Sequence, residues 1–163
     1  MAVAPRPLLA AAGLVAVGAL VLAAYLQHVR GFEPCPWCVL QRLLVLLVAL
    51  AAGIGALLPM GAGRSRAASA VAAALLSVAG VATAIYQHVV AASSDSCALT
   101  LADRVIGGLR LAELWPAMFE ATARCDEANL PWLGVPFALW GALTFLITAS
   151  GSLLALQGTN RQA

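Results

Sequence analysis

The chain has 163 residues, of which 63% are hydrophobic and 10% are charged, and its mean hydropathy is +0.94. A soluble domain is usually nearer half apolar and about a quarter charged, so this composition excludes an ordinary soluble protein and predicts a surface that faces lipid. The net charge is only +2, and the basic residues, all arginine, are scattered, which argues against nucleic-acid binding.

Four apolar stretches are each long enough to cross a bilayer. They cover about residues 8–28, 39–58, 67–90 and 133–156, and Arg42 is the one charged residue within them. About 20 helical residues span the hydrocarbon core, which is roughly 30 Å thick. The first stretch could alternatively be a signal peptide, but it is longer than the usual apolar core and no A-x-A site follows it. The sequence therefore predicts an all-α membrane protein, with residues 1–163 forming one domain, a four-transmembrane-helix bundle.

The arginines outside the spans indicate how the chain is oriented. Segments free of acidic residues carry arginine before the first span, between the second and third, and after the fourth: Arg6, Arg64, Arg66 and Arg161. The segment 91–132, by contrast, is rich in acidic residues. Because short cytoplasmic segments carry an excess of basic residues, we expect both termini in the cytoplasm and the loops 29–38 and 91–132 on the outer side.

The longer outer loop has helical periodicity of its own. Apolar residues recur every three to five positions from Ile106 to Phe119, with charged residues between them. This pattern predicts a short amphipathic helix, which Pro116 either breaks or restarts. The helix could lie on the membrane surface with Trp115 and Phe119 dipping toward the acyl chains, or it could pack on the bundle as an ordinary surface helix.

The four cysteines, Cys35, Cys38, Cys97 and Cys125, all fall on the predicted outer side, where disulfides persist. Cys35 and Cys38 flank Pro36, which suits the first turn of a helix, so the second span should begin within this motif. The positive end of a helix favours a thiolate over a thiol and makes such a pair reactive. A structural disulfide and half of a zinc site are the alternative interpretations of this pair.

Two further residues are candidates for the same site. Arg42 follows Cys38 by one helical turn, and a charge within a membrane span is functional by default, although its side chain could also snorkel to the interface. His88 ends the third span on the same side. The strings "YLQHV" at 25–29 and "IYQHV" at 85–89 resemble each other, and we interpret them as polar residues at the membrane interface rather than as a duplication.

The strings "PCPWCVLQR", "IYQHV" and "WLGVPFALW", with the loop that holds Cys97 and Cys125, resemble the DsbB family of bacterial inner-membrane thiol oxidases. The resemblance covers essentially the whole chain. It implies a multi-pass enzyme of the inner membrane whose cysteine-bearing loops are periplasmic. The implied cofactor is a quinone, either ubiquinone or menaquinone. The implied partner is a periplasmic thioredoxin-fold dithiol oxidase similar to DsbA.

The resemblance also implies a role for each candidate residue. Cys97 matches the cysteine that forms a mixed disulfide with the partner, and Cys125 matches the one that passes to Cys35. Cys38 matches the cysteine beside the quinone, and Arg42 and His88 match positions that contact the quinone. We therefore expect these residues to have the same roles in this chain. Two alternatives stay open. One is a quinone reductase of the vitamin K epoxide reductase type, in which the loop pair normally precedes the C-x-x-C motif. The other is a non-enzymatic membrane scaffold with structural disulfides.

Overall fold

The computed structural model describes residues 4–59, 61–93, 100–129 and 131–161. Within these ranges, four helices are long and apolar enough to cross a membrane: α1 (Pro5–Arg30), α2 (Pro36–Leu57), α3 (Gly63–Val89) and α8 (Phe137–Asn160). This confirms the predicted all-α class with four spans. Between α3 and α8 lie a 3₁₀ turn (Ala91–Ser93), α4 (Leu101–Gly108), α5 (Leu111–Leu114), α6 (Pro116–Phe119), α7 (Cys125–Ala128), β1 (Pro131–Trp132) and β2 (Val135–Pro136).

The last long helix begins later than the sequence predicted. We expected the fourth span to begin at residue 133, but Leu133 and Gly134 form the turn of an antiparallel hairpin in which Trp132 pairs with Val135. Both turn residues have positive φ, 54° and 81°, as a two-residue turn of type I′ requires. The indole N–H of Trp140 donates a 3.1 Å hydrogen bond to the Trp132 carbonyl, which ties the hairpin to the first turn of α8.

The predicted amphipathic segment is divided into the short helices α4, α5 and α6. Arg110, with a φ of 53°, separates α4 from α5. Pro116 is the first residue of α6, so it restarts the helix, which was one of the two alternatives predicted from the sequence. Ile106 and Phe119 are buried, whereas Trp115 is 52% exposed. The burial of Phe119 does not fit the alternative in which its ring dips toward the acyl chains, and it favours the alternative of a helix packed on the protein.

By its internal packing the chain divides into two units. The first comprises Met1–Leu20, Leu44–Ala79 and Thr144–Ala163, and the second comprises Val21–Leu43 and Gly80–Leu143. One buried cluster in the first unit consists mainly of small side chains: Leu9, Ala12, Ala52, Ala70, Ala73 and Ala155. Small residues let helices approach closely in a membrane, where burial of apolar surface gives little drive for association.

Gly55 and Arg66 determine how α2 packs and ends in the first unit. A Cβ atom on Gly55 would lie only 2.8 Å from Leu9 Cδ1 and 2.9 Å from Ser69 Cβ, so this position has room for hydrogen alone. The buried Arg66 guanidinium donates hydrogen bonds to carbonyl groups at the end of α2, which have no partner within the helix. The acceptors are Gly55 at 3.3 Å, Leu58 at 2.9 Å and Pro59 at 3.0 Å.

A buried hydrophobic cluster of the second unit surrounds the cysteine motif. Its buried members are Cys35, Trp37, Leu40, Ala91, Ala102 and Ala128. Cys38 and Cys125 pack against this cluster and are partly buried. The fold thus places three of the predicted site residues in one apolar environment.

Candidate functional site

Cys35 occupies the N-terminus of α2. Gly31 ends α1 with a left-handed φ of 69°, and α2 begins at Pro36, within the C-x-x-C motif as predicted. The Cys35 carbonyl accepts the Val39 N–H at 3.0 Å, and its sulfur accepts the Cys38 N–H at 3.3 Å. Cys35 therefore acts as the N-cap residue, and its sulfur takes the place of the usual capping oxygen.

Three sulfur atoms meet at this helix end. Cys35, Cys38 and Cys125 are free thiols, and the Cys35 and Cys38 sulfurs lie 2.9 Å apart. The Cys35 thiol is also hydrogen-bonded to Cys125, whose sulfur accepts a further bond from the Trp37 backbone N–H. The fully buried Cys35 sulfur is thus in contact with both of the other two sulfurs.

Backbone hydrogen bonds bring Cys125 to this position. The Pro34 carbonyl accepts the N–H groups of Thr122 at 2.9 Å and Ala123 at 3.2 Å. These bonds pin the segment before α7 to the residue that precedes Cys35. Cys125 is the first residue of α7, and its sulfur contacts Cys35 and the Trp37 backbone N–H at the start of α2.

The hydrogen bond between Cys35 and Cys125 shifts the pKa values of the two thiols in opposite directions. It lowers the pKa of Cys125, whose sulfur accepts the bond. It raises the pKa of Cys35, which donates it, and the contact with Cys38 and burial act in the same direction. Cys125 is therefore the first of the two to become a thiolate, the form that attacks a disulfide.

A buried pair of amide side chains lies beside Cys38. Gln41 Nε2 donates to Gln87 Oε1, and Gln87 Nε2 donates to Cys38 Sγ at 3.1 Å. Gln87 is only 1% exposed. Gly141 makes room for the pair, because a Cβ at that position would lie 2.5 Å from Gln41 Oε1.

The Arg42 side chain is held inside the protein. It is 7% exposed, and its Nη1 donates to Gln27 Oε1 and to the Met118 carbonyl, the latter at 3.1 Å. Arg42 and Cys38 also interact electrostatically. The guanidinium group is thus bonded to protein atoms. Snorkelling would require it to extend to an exposed position, which it does not do.

His88 is held in one tautomer by Asn129. The Asn129 Oδ1 accepts the Ala138 N–H at 3.3 Å, which directs its Nδ2 toward His88 Nδ1, 3.1 Å away. An amide nitrogen only donates, so Nδ1 must accept and the imidazole hydrogen must lie on Nε2. Among the described residues, this side chain is bonded to Asn129 and not to the cysteines or Arg42.

The structure therefore brings together Cys35, Cys38 and Cys125, while Cys97 lies outside the described residues. Neither Gln27 nor Gln87 was predicted as a site residue, although the resemblance between residues 25–29 and 85–89 was a signal for both. Each glutamine hydrogen-bonds a predicted site residue. Gln87, one of the polar residues in these strings, is buried in the protein.

The chain is similar to known proteins over nearly its full length. Residues 5–155 match the family described as disulfide bond formation protein DsbB. The chain is 33% identical over 160 residues to disulfide bond formation protein B 1 of Pseudomonas putida, a match that covers 97% of this chain and 94% of the relative. It is 32% identical over 160 residues to disulfide bond formation protein B of Burkholderia thailandensis, covering 96% and 94%. The chain belongs to the DsbB family of disulfide bond formation proteins.

Proposed function

We propose that the protein is a thiol oxidase that restores the disulfide of a periplasmic DsbA-like dithiol oxidase and passes the electrons to a membrane quinone. Membership of the DsbB family supports a disulfide-forming oxidoreductase, and the four long apolar helices support a multi-pass membrane protein. The observation that carries the finer proposal is the contact of the Cys35 sulfur with both Cys38 and Cys125.

This arrangement suits a relay of disulfide exchange. A thiolate attacks one sulfur of a disulfide and displaces the other. In the proposed relay, the partner opens a Cys97–Cys125 disulfide by bonding to Cys97. The Cys125 thiolate then attacks Cys35 in a Cys35–Cys38 disulfide, and Cys38 leaves with the electron pair. The lowered pKa of Cys125 supports its role as the attacking group.

The residues around Cys38 fit a quinone, whose carbonyl oxygens only accept hydrogen bonds. Trp37 Nε1 is a buried donor without a partner among the described residues, and such a donor costs about 1–3 kcal/mol if it stays unsatisfied. His88 carries its hydrogen on Nε2, and Arg42 is a buried cation. We therefore assign Trp37, Arg42 and His88 to hold a ubiquinone or menaquinone, which when bound supplies a two-electron, two-proton acceptor.

We further propose one domain in the bacterial inner membrane, with both termini in the cytoplasm and the cysteine-bearing segments in the periplasm. The distribution of arginine supports this orientation. Labelling with a membrane-impermeant thiol reagent in spheroplasts should modify Cys97 and Cys125 from the periplasmic side after reduction. Modification of either residue from the cytoplasmic side alone would contradict both the orientation and the relay.

The oxidase activity can be tested with protein purified in detergent. We expect it to oxidise a reduced DsbA-like protein only when ubiquinone or menaquinone is present, with quinone consumption followed by absorbance. Cys97→Ser or Cys125→Ser should abolish oxidation of the partner and leave quinone binding intact, whereas Cys38→Ser should stop electron delivery to the quinone. Full turnover by Cys35→Ser or Cys38→Ser would refute the relay. Stable disulfides that exchange with no dithiol protein would favour the scaffold alternative.

A further inference from the structure

We propose that Gln87 is a catalytic hydrogen-bond donor to the thiolate that Cys38 becomes during the relay, and that Gln41 positions Gln87 for this role. The inference rests on the proposed relay and assigns two residues to its exchange step. It follows from the direction of the two amide hydrogen bonds, from their burial and from the space at Gly141.

The direction of the hydrogen bonds decides which end of Gln87 faces the sulfur. Gln41 Nε2 donates to Gln87 Oε1, which leaves the Nε2 of Gln87 to donate to Cys38 Sγ at 3.1 Å. A thiolate accepts hydrogen bonds and cannot donate one, so only this orientation of the Gln87 amide stabilises it. Because Gln87 is 1% exposed, water has little access to replace the donor if the amide turns away.

The exchange step creates the charge that this donor meets. When the Cys125 thiolate attacks Cys35, the Cys125–Cys35 bond forms, the Cys35–Cys38 bond breaks, and the electron pair of the broken bond stays on Cys38. The step needs no proton and no external electrons, and it moves one negative charge from Cys125 to Cys38. A hydrogen bond to a charged acceptor is about twice as strong as one to a neutral acceptor, so Gln87 favours the products over the reactants.

Gly141 provides the space that keeps Gln41 in position. A Cβ at this residue would lie 2.5 Å from Gln41 Oε1, so an alanine would displace the Gln41 amide without touching a sulfur atom. Gly108 offers a matched control, because a Cβ there would meet nothing within 4 Å. The two glycine-to-alanine variants therefore separate an effect on the amide pair from a general effect of an added methyl group.

The test measures one equilibrium in a Cys97→Ser background, with quinone removed and no partner added. After oxidation by one equivalent of diamide, the three remaining cysteines can form three disulfides, and the relay interconverts two of them, Cys35–Cys38 and Cys35–Cys125. The protein is equilibrated at pH 8, quenched with acid and alkylated, and the two isomers are then quantified by peptide mass spectrometry. This ratio requires no turnover by quinone-loaded enzyme.

We expect Gln87→Met to shift the isomer ratio about tenfold or more toward the Cys35–Cys38 disulfide, because the free Cys38 thiolate loses a charge-assisted hydrogen bond. Gln87→Leu, which also removes the donor and cannot regain one, should shift it about as far. Gly141→Ala should shift the ratio in the same direction by a smaller factor, and Gly108→Ala should leave it unchanged. Far-UV circular dichroism establishes that each variant is folded.

The possible failures are distinguishable. A ratio within twofold of the parent in both Gln87 variants would overturn the role of Gln87, and an equal response to Gly141→Ala and Gly108→Ala would overturn the role of Gln41. Absence of the Cys35–Cys125 disulfide from every variant, the parent included, would overturn the relay together with this inference. If the ratios shift as expected but the wild-type protein reduces no quinone, the inference stands and the quinone part of the proposed function is refuted.

Discussion

Replacing Arg42 by methionine separates a role in quinone binding from a role in folding. Methionine keeps an unbranched side chain of similar reach but removes the positive charge and the donors. The substitution removes the hydrogen bonds that Arg42 donates to Gln27 Oε1 and to the Met118 carbonyl. We expect the substitution to raise the quinone KM strongly while changing the KM for the dithiol partner little, because we propose that the quinone, and not the partner, binds beside Arg42.

The opposing contributions of Arg42 to stability have similar magnitudes. Each of its two hydrogen bonds is worth about 1.5–3 kcal/mol, since the donor is charged. Placing an arginine within a membrane span costs at least about 2.5–3.5 kcal/mol, and this cost disappears in the variant. The free energy of unfolding should therefore fall by less than about 3.5 kcal/mol. Loss of one charge-assisted contact to the quinone corresponds to a ten- to hundredfold rise in KM, at about 1.4 kcal/mol per factor of ten.

The assay is steady-state quinone reduction in detergent, with quinone and reduced partner varied separately. Arg66→Met is the matched control, because Arg66 is also buried but donates to carbonyl groups at the end of α2. This control should lower the free energy of unfolding and leave the quinone KM unchanged. A quinone KM for Arg42→Met that equals the wild-type value within error, in folded protein, would refute the assignment of Arg42 to the quinone.

Three further predictions concern individual residues. The pKa of Cys125 lies below its ordinary value because Cys35 donates a hydrogen bond to it, so alkylation of Cys125 in reduced protein should persist to lower pH than for an ordinary thiol. Cys35→Ala should move the midpoint of this alkylation upward, and an unmoved midpoint would refute the cause. His88→Ala should raise the quinone KM about two- to tenfold through loss of one neutral hydrogen bond, and a quinone KM equal to the wild-type value would argue that His88 is only an interfacial residue. Gly55→Ala should lower the free energy of unfolding in detergent by about 1–3 kcal/mol, whereas Gly53→Ala should not, because a Cβ there meets no atom within 4 Å; equal effects would contradict the close packing at Gly55.

Local sequence determined the features that depend on neighbouring residues. Apolar runs of sufficient length predicted the four long helices, because a lipid-facing backbone must satisfy its own hydrogen bonds. Pro36 predicted the start of α2, since proline lacks the N–H that the first helical turn leaves unpaired. The spacing of Cys35 and Cys38 then placed both thiols in one helical turn. The hairpin before α8 also depends on a local residue, Gly134. It was not predicted, because the apolar residues around Gly134 were assigned to the fourth span.

Tertiary structure alone decided which distant groups meet. The spacing of the cysteines left several partners open for Cys35, and only the family resemblance implied Cys125. In the structure, the contact of Cys35 with Cys125 depends on the hydrogen bonds that Thr122 and Ala123 donate to the Pro34 carbonyl. Gln41 and Gln87 are 46 positions apart, and neither lies in a pattern that predicts the other. Their pairing requires α2 and α3 to pack with one particular rotation and depth. Periodicity fixes which face of a helix is apolar, but it does not fix the register in which the polar groups of two helices come into contact.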